Sequence, residues 1–175
     1  RALADLVMEL KSFGSKVGIQ LSHGGRKAAD AIQPIGPSAV GYSEEYQVPK
    51  EMTLDDIQRV QSAFVSAARR AQEAGYDMIE IHGAHGYLVN EFLEPLTNLR
   101  SDEYGGTLEK RFRFLKEIIE GVKTVFRGPI WVRLSATAYD ETGTQNTLQD
   151  YQQIAKWLEE LGVTCLDIST GGLWM

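Results

Sequence analysis

The sequence predicts an α/β fold in which four parallel strands form part of a barrel wall. Short apolar segments alternate along the chain with amphipathic helices, which is the pattern of right-handed crossovers between parallel strands. The strands are aliphatic at one parity, whereas the other parity becomes polar toward each carboxyl end. A strand in an open sheet with helices on both faces should be apolar on both sides, so this one-sided pattern favours a barrel.

The predicted strands share aliphatic residues at alternate positions and cover 17–22, 77–82, 130–135 and 164–169. Each predicted helix precedes a strand and ends at a glycine or a glycine–proline break. The helices cover 2–13, Thr53 to Gly75, Thr107 to Gly128 and Thr147 to Gly162. The residues from His23 to Met52 are predicted to form a long polar loop, and a short helical piece should follow Tyr87.

The length of the chain indicates that it holds only part of a barrel. A barrel of eight strands and eight helices needs roughly 250 residues, and this chain has 175. It also begins inside an amphipathic pattern and stops just past a strand. We therefore interpret residues 1–175 as one partial barrel domain, which supplies strands three to six of a (β/α)8 TIM barrel.

The amino-acid composition argues against several classes of binding partner and bound group for this protein. The net charge is -6, which argues against nucleic acid or an anionic membrane as the main partner. A single cysteine, Cys165, excludes an internal disulfide and a cysteine-built zinc or iron–sulfur site within this segment. No apolar run approaches the ~20 residues of a membrane helix, and the expected location is the cytoplasm.

Two histidines and a tyrosine lie where the second predicted strand runs into a glycine-rich turn: His82, His85 and Tyr87. They could be ordinary hydrogen-bonded residues at a strand end. A metal site is disfavoured because zinc needs three or four ligands and the chain's third histidine, His23, has no other ligands beside it. The third interpretation is a pair of imidazoles that donate to one substrate oxygen, with Tyr87 as a proton donor.

Gln20 and Arg133 occupy the polar parity of other strands. An arginine on an inner face is costly to bury unless an anionic or electron-rich group meets it. An internal ion pair with Glu80 is one alternative. The other is a flat heterocycle, because the amide of Gln20 suits a ring that presents a carbonyl next to an N–H.

Several segments together resemble the old yellow enzyme family, in particular its bacterial NADPH dehydrogenase and xenobiotic reductase branch. They span essentially the whole chain and read QLSHGGRKA (20–28), EIHGAHGYL (80–88), NEFL (90–93), PLTN (95–98), RSDEYGG (100–106) and WVRLS (131–135). The resemblance implies an FMN-containing (β/α)8 barrel with NAD(P)H as reductant. It also implies an ene-reductase that reduces the activated C=C bond of α,β-unsaturated carbonyl compounds.

The resemblance implies a role for each candidate residue. Gln20 would bind the pyrimidine edge of the flavin, and Arg133 would lie by its N1–C2 carbonyl region. His82 and His85 would hold the carbonyl oxygen of the substrate, and Tyr87 would give a proton to the α carbon while flavin N5 gives hydride to the β carbon. No metal is implied. The phosphate site is expected after strands seven and eight, outside this chain.

The resemblance also covers the loop after the second predicted strand. Asp102 and Arg111 are expected to tie this loop to the next helix.

Two rival interpretations stay open. One is a flavoenzyme similar to dienoyl-CoA reductases, whose iron–sulfur cysteines would lie beyond Met175. The other is a half-barrel that keeps the signature but binds no flavin and has no activity. In either of the flavin-dependent cases the partner is a small-molecule substrate, and we expect a homo-oligomer.

Overall fold

The computed structural model describes residues 2–174 and contains the predicted parallel sheet. The strands of the main sheet are β1 (Gly18–Leu21), β4 (Met78–Gly83), β5 (Ile130–Ser135) and β6 (Cys165–Ser169). They lie in the order β1-β4-β5-β6, with every neighbouring pair parallel. The helices are α1 (Ala2–Ser12), α2 (Leu54–Ala74), α3 (Leu88–Leu93), α4 (Leu108–Lys123) and α5 (Leu148–Glu160).

The two faces of the sheet have opposite character, as the strand parity predicts. The outer parity is packed under the helices, and its buried members include Ile79, Ile81, Ile130, Val132 and Leu134. The inner parity is polar and stands in layers, because side chains at matching register on parallel strands project to the same side. One layer holds Gln20, Glu80 and Trp131, and the next holds His82, Arg133 and Asp167.

Local sequence signals define the helix ends. Thr53 and Thr147 each form a reciprocal capping box with an aspartate, Asp56 and Asp150, which takes the place of the more common glutamate. Gly75 ends α2 in the left-handed conformation, with φ 85°. These three helix ends lie where the sequence predicts them.

Helix α4 is shorter than predicted, because it ends at Lys123 rather than at the Gly128-Pro129 break. The N–H of Thr124 and its hydroxyl both bond to the carbonyl of Gly121, at 3.1 and 2.7 Å. This tighter bonding pattern closes the helix. Phe126 is still buried, and it reaches the core from the segment after the helix.

The predicted polar loop 23–52 is more ordered than expected. It contains a 3₁₀ turn at Gly25–Lys27 and a two-stranded parallel sheet of β2 (Ile35–Gly36) and β3 (Lys50–Glu51). Arg100 holds this segment from outside, because its guanidinium donates to the carbonyls of Pro37 and Met52 at 3.0 and 2.6 Å. Such bonds join residues far apart in the chain, and the periodicity of a short segment does not reveal them. The sequence therefore predicted an irregular loop.

The expectation that Asp102 and Arg111 both tie the loop to the next helix is only half correct. Arg111 does join the loop to α4, since it donates to the carbonyl of Leu93 at 2.8 Å and to Asn146 Oδ1 at 2.6 Å. Asp102 instead binds Arg100 within the loop, with a shortest distance of 2.5 Å between Nη2 and Oδ2. The carboxylate of Asp102 thus pairs within the loop, with a partner only two residues away.

Several apolar side chains remain exposed on the outer surface. On α1 and just after it they are Leu3, Leu6, Met8, Leu10 and Phe13, and on β6 Ile168 is 58% exposed. Among the described residues, β1 and β6 each pair with a strand on one side only. No helix within residues 2–174 has the length and apolar character needed to cross a membrane.

Candidate active site

The turn after β4 holds His85 in an unusual backbone conformation. His85 has φ 59°, in the left-handed region that residues other than glycine rarely occupy. Its N–H donates to Ser135 Oγ at 2.9 Å, and its carbonyl accepts from Lys27 Nζ at 2.8 Å. The next N–H, of Gly86, donates to Asn90 Oδ1 at 2.8 Å. Side chains from the 3₁₀ turn, from α3 and from β5 thus hold the backbone of this turn in place.

The structure brings His82, His85 and Tyr87 into one cluster. The ring centroid of His82 lies 5.2 Å from that of His85 and 5.0 Å from that of Tyr87, and both pairs meet edge to face. All three line a cleft of about 760 Å³ together with Gln20 and Lys27. This proximity is what the oxyanion hypothesis requires, and the chemical roles of the residues stay predictions.

Both imidazoles of the cluster are held in the neutral form near pH 7. Burial, together with the neighbouring His85 and Arg133, lowers the pKa of His82 to about 4. Burial also lowers the pKa of His85, with Arg133 and Lys27 adding to the effect. A neutral imidazole carries a single N–H donor. The N–H of Ala84 donates to His82 Nδ1 at 3.3 Å, so the proton of His82 is on Nε2.

We expect the buried His82 to make the fold sensitive to acid. The pKa of His82 is below its unfolded value of 6.5, so the unfolded chain takes up a proton first. Its contribution to the free energy of unfolding is complete above pH 6.5 and is lost as the pH falls toward about 4. Denaturant unfolding of the chain and of His82→Gln across this range measures the effect. The two curves should converge at low pH, and parallel curves would contradict the shifted pKa.

Gln20 and Arg133 lie on the inner face, but each has a partner in the sheet. Gln20 Nε2 donates to Glu80 Oε2 at 2.6 Å, and Arg133 Nε lies 3.3 Å from Asp167 Oδ2. The alternative of an ion pair between Arg133 and Glu80 is therefore wrong. The contact with Asp167 lacks hydrogen-bond geometry, and Arg133 Nε is buried without a hydrogen-bond partner.

This inner face fits a flavin by the chemistry of its donors. An unsatisfied buried guanidinium nitrogen needs an acceptor, and the carbonyl-rich pyrimidine edge of a flavin offers several. The amide of Gln20 supplies a donor and an acceptor on the same face. Trp131, one layer further in, is 37% exposed and gives that face apolar area for a flat ring.

Sequence reasoning did not assign a function to Lys27 or to the serines of the inner parity. Lys27 Nζ bonds to the carbonyls of His85 and Gly172 and lies 5.4 Å from the ring centroid of Tyr87. Ser135 Oγ receives the His85 N–H and donates to the carbonyl of Gly171 at 2.9 Å. The sequence did offer one signal for them: Ser135 is the last residue of β5 and Lys27 follows β1, so both lie at the carboxyl ends of parallel strands, where ligands bind.

Within residues 2–174 no group of three histidine, cysteine, aspartate or glutamate side chains is arranged to hold a metal ion. The parallel sheet thus carries, on a polar inner face, a neutral histidine pair beside a tyrosine. Comparison with known proteins identifies the family to which the chain belongs.

The family model described as the NADH:flavin oxidoreductase / NADH oxidase family matches residues 1–174. An NADPH dehydrogenase of Geobacillus sp. (strain WCH70) is 53% identical over 99% of this chain and 49% of its own length. Among solved structures, an old yellow enzyme homologue from Zymomonas mobilis has a TM-score of 0.83 and 34% identity, covering 95% of this chain and 51% of that one. A 2-naphthoyl-CoA reductase complex has a TM-score of 0.88 and 31% identity, covering 98% and 28%.

The chain belongs to the NADH:flavin oxidoreductase / NADH oxidase family. It spans about half the length of the curated relatives that it matches. These findings confirm the predicted old yellow enzyme family, its FMN cofactor and NAD(P)H reductant, and the prediction that the chain supplies about half of a (β/α)8 barrel.

Proposed function

We propose that this chain contributes the substrate-binding wall of an FMN-dependent ene-reductase, which reduces the activated C=C bond of an α,β-unsaturated carbonyl compound. The observation that carries the proposal is the cluster of two neutral imidazoles and Tyr87 on one cleft. A neutral N–H pair stabilises an oxygen on which negative charge develops, without the ion pairing that a fixed cation would bring.

Each side chain has one task in this mechanism. His82 donates from Nε2, and His85 donates from the facing ring, to the carbonyl oxygen of the substrate. This polarises the conjugated C=C bond and makes its β carbon electrophilic. FMN, when bound and reduced by NAD(P)H, would supply the hydride for that carbon. Tyr87 delivers the proton to the α carbon, and the charge that develops on the oxygen is held by the two imidazoles.

Gln20 and Arg133 are proposed to bind the flavin rather than the substrate. The amide of Gln20 would pair with the pyrimidine edge, and the guanidinium of Arg133 would place its charge beside the N1–C2 carbonyl region. Arg133 lies opposite His82 in the sheet register, so the flavin and the substrate oxygen would meet along one edge of the wall.

Binding of FMN by the chain tests the Arg133 assignment. We expect titration with FMN to show weak binding, because the phosphate-binding loops of such barrels follow strands seven and eight. Arg133→Met should weaken that binding by about tenfold or more, the factor for one lost charge-assisted hydrogen bond. The matched control is Arg113→Met on the exposed side of α4, which should change nothing. Equal dissociation constants for the chain and Arg133→Met would contradict the assignment, and complete absence of binding would favour the non-catalytic half-barrel.

The resemblance to 2-naphthoyl-CoA reductase favours a second candidate, in which the substrate carbonyl is a CoA thioester. The same histidine pair could hold a thioester oxygen. Cys165 is the single cysteine of the chain, so this segment alone cannot ligate the iron–sulfur cluster of dienoyl-CoA-reductase-like enzymes. Turnover of an enone and of an enoyl-CoA thioester, measured side by side, separates the two candidates.

We also propose that the chain forms a homo-oligomer. The exposed apolar residues of α1 and the edges of β1 and β6 offer a surface for a second copy. Light scattering should show species well above the 19.5 kDa of one chain. Met8→Lys, on that surface, should shift the distribution toward monomer, whereas Leu148→Lys on α5 should not. A monomer at all concentrations would contradict the proposal.

A further inference from the structure

Ser169, the last residue of β6, contacts the His85 ring at Nε2, the ring nitrogen farther from the backbone. His85 Nε2 lies 2.6 Å from Ser169 Oγ, a short hydrogen bond between side chains 84 positions apart. The other ring nitrogen, Nδ1, bonds to no residue within 2–174. Because His85 lines the cleft, Nδ1 is the nitrogen left for a ligand there.

The direction of this hydrogen bond decides which nitrogen of His85 carries the proton. The imidazole and the hydroxyl cannot both place a hydrogen between Nε2 and Oγ. Nε2 is the one acceptor within the described chain that the Ser169 hydroxyl reaches. A proton on Nε2 would leave that half-buried hydroxyl without a protein acceptor, whereas donation to Nε2 gives the hydroxyl and the ring nitrogen a partner each.

We propose that Ser169 is a positioning residue, which donates to His85 Nε2 and so holds His85 as the Nδ1–H tautomer. His82 is fixed in the opposite way, because Ala84 N–H donates to its Nδ1 and leaves the proton on Nε2. The pair thus presents Nε2–H from His82 and Nδ1–H from His85 to the cleft. The significance of this for catalysis rests on the proposed function, whereas the tautomer itself can be measured without it.

The tautomers can be read directly, because the chain has only three histidines. Long-range ¹H–¹⁵N spectra of the chain labelled with ¹⁵N-histidine, recorded above pH 7, report which nitrogen of each ring is protonated. We expect His85 as Nδ1–H and His82 as Nε2–H. Ser169→Ala should change the His85 tautomer ratio by about fivefold or more toward Nε2–H, the factor that one ordinary hydrogen bond supports.

Two comparisons separate positioning from a general structural effect. Ser169→Thr keeps the hydroxyl and should keep the Nδ1–H form, and His82 in the same spectrum should stay Nε2–H in every variant. His85 as Nε2–H in the unsubstituted chain would overturn the proposal, and so would an unchanged ratio in a folded Ser169→Ala. If Ser169→Ala does not fold, the unsubstituted chain and Ser169→Thr still decide the question.

The experiment also distinguishes this proposal from the proposed function. Failure to reduce an enone would leave the spectra unchanged and would remove only the catalytic meaning of the tautomer. An Nε2–H form of His85 in a protein that does reduce enones would remove the role of Ser169 alone.

Discussion

Tyr87→Phe is expected to slow the consumption of an enone by about 10² to 10⁴-fold in the flavin-loaded protein, the range for a lost general acid. The phenol is the one proton donor of the cluster that is not needed to hold the substrate oxygen. The substitution keeps the ring, so the packing against His82 at 5.0 Å should survive. Rapid mixing of the reduced protein with 2-cyclohexenone measures the step.

Reduction of the flavin by NAD(P)H serves as the internal control for this variant, because that half of the cycle needs no proton from Tyr87. Tyr46→Phe is the matched substitution, since Tyr46 packs on Tyr42 outside the cleft. Equal slowing of both halves of the cycle in Tyr87→Phe would show that the residue is structural rather than a proton donor.

His82→Ala and His85→Ala are each expected to reduce enone turnover by about 10²-fold or more, the loss for one donor to a developing oxyanion. The two residues act on the same oxygen, so the double variant should lose less than the product of the two factors. Steady-state rates with 2-cyclohexenone measure both effects.

His82 is only 5% exposed, so its replacement also removes packing. Thermal melting of each variant shows whether the loss of turnover exceeds the loss of folded protein. His23→Ala is the control, because His23 bonds to the Gly25 N–H and is absent from the cluster. Turnover at the parental rate in both cluster variants would exclude the oxyanion role.

The fold could be predicted from the sequence where local chemistry determines it. The capping boxes at Thr53 and Thr147 are short-range signals, and strand parity separates the outer Ile79 and Ile81 from the inner His82. The spacing of His82, His85 and Tyr87 placed them on one turn, and the structure finds them in contact.

The remaining features depend on residues far apart in the chain. Glu80 bonds to Gln20 rather than to Arg133, because the strand register puts Gln20 directly beside it. Ser169 reaches His85 across the sheet, over 84 positions. Such partners follow from the register and from the path of the loops, which periodicity does not encode.

The proposed function requires that this wall holds a carbonyl oxygen while the C=C bond beside it is reduced. The most direct measurement is the isotopic pattern of the product from 2-cyclohexenone, reduced by the flavin-loaded protein with deuterated NAD(P)H in ordinary water and with ordinary NAD(P)H in D₂O. We predict cyclohexanone with label at the β carbon from the reductant and at the α carbon from the solvent, and loss of this product in His82→Ala and His85→Ala. Formation of the unsaturated alcohol, or no reduction of the C=C bond, would contradict the proposed function.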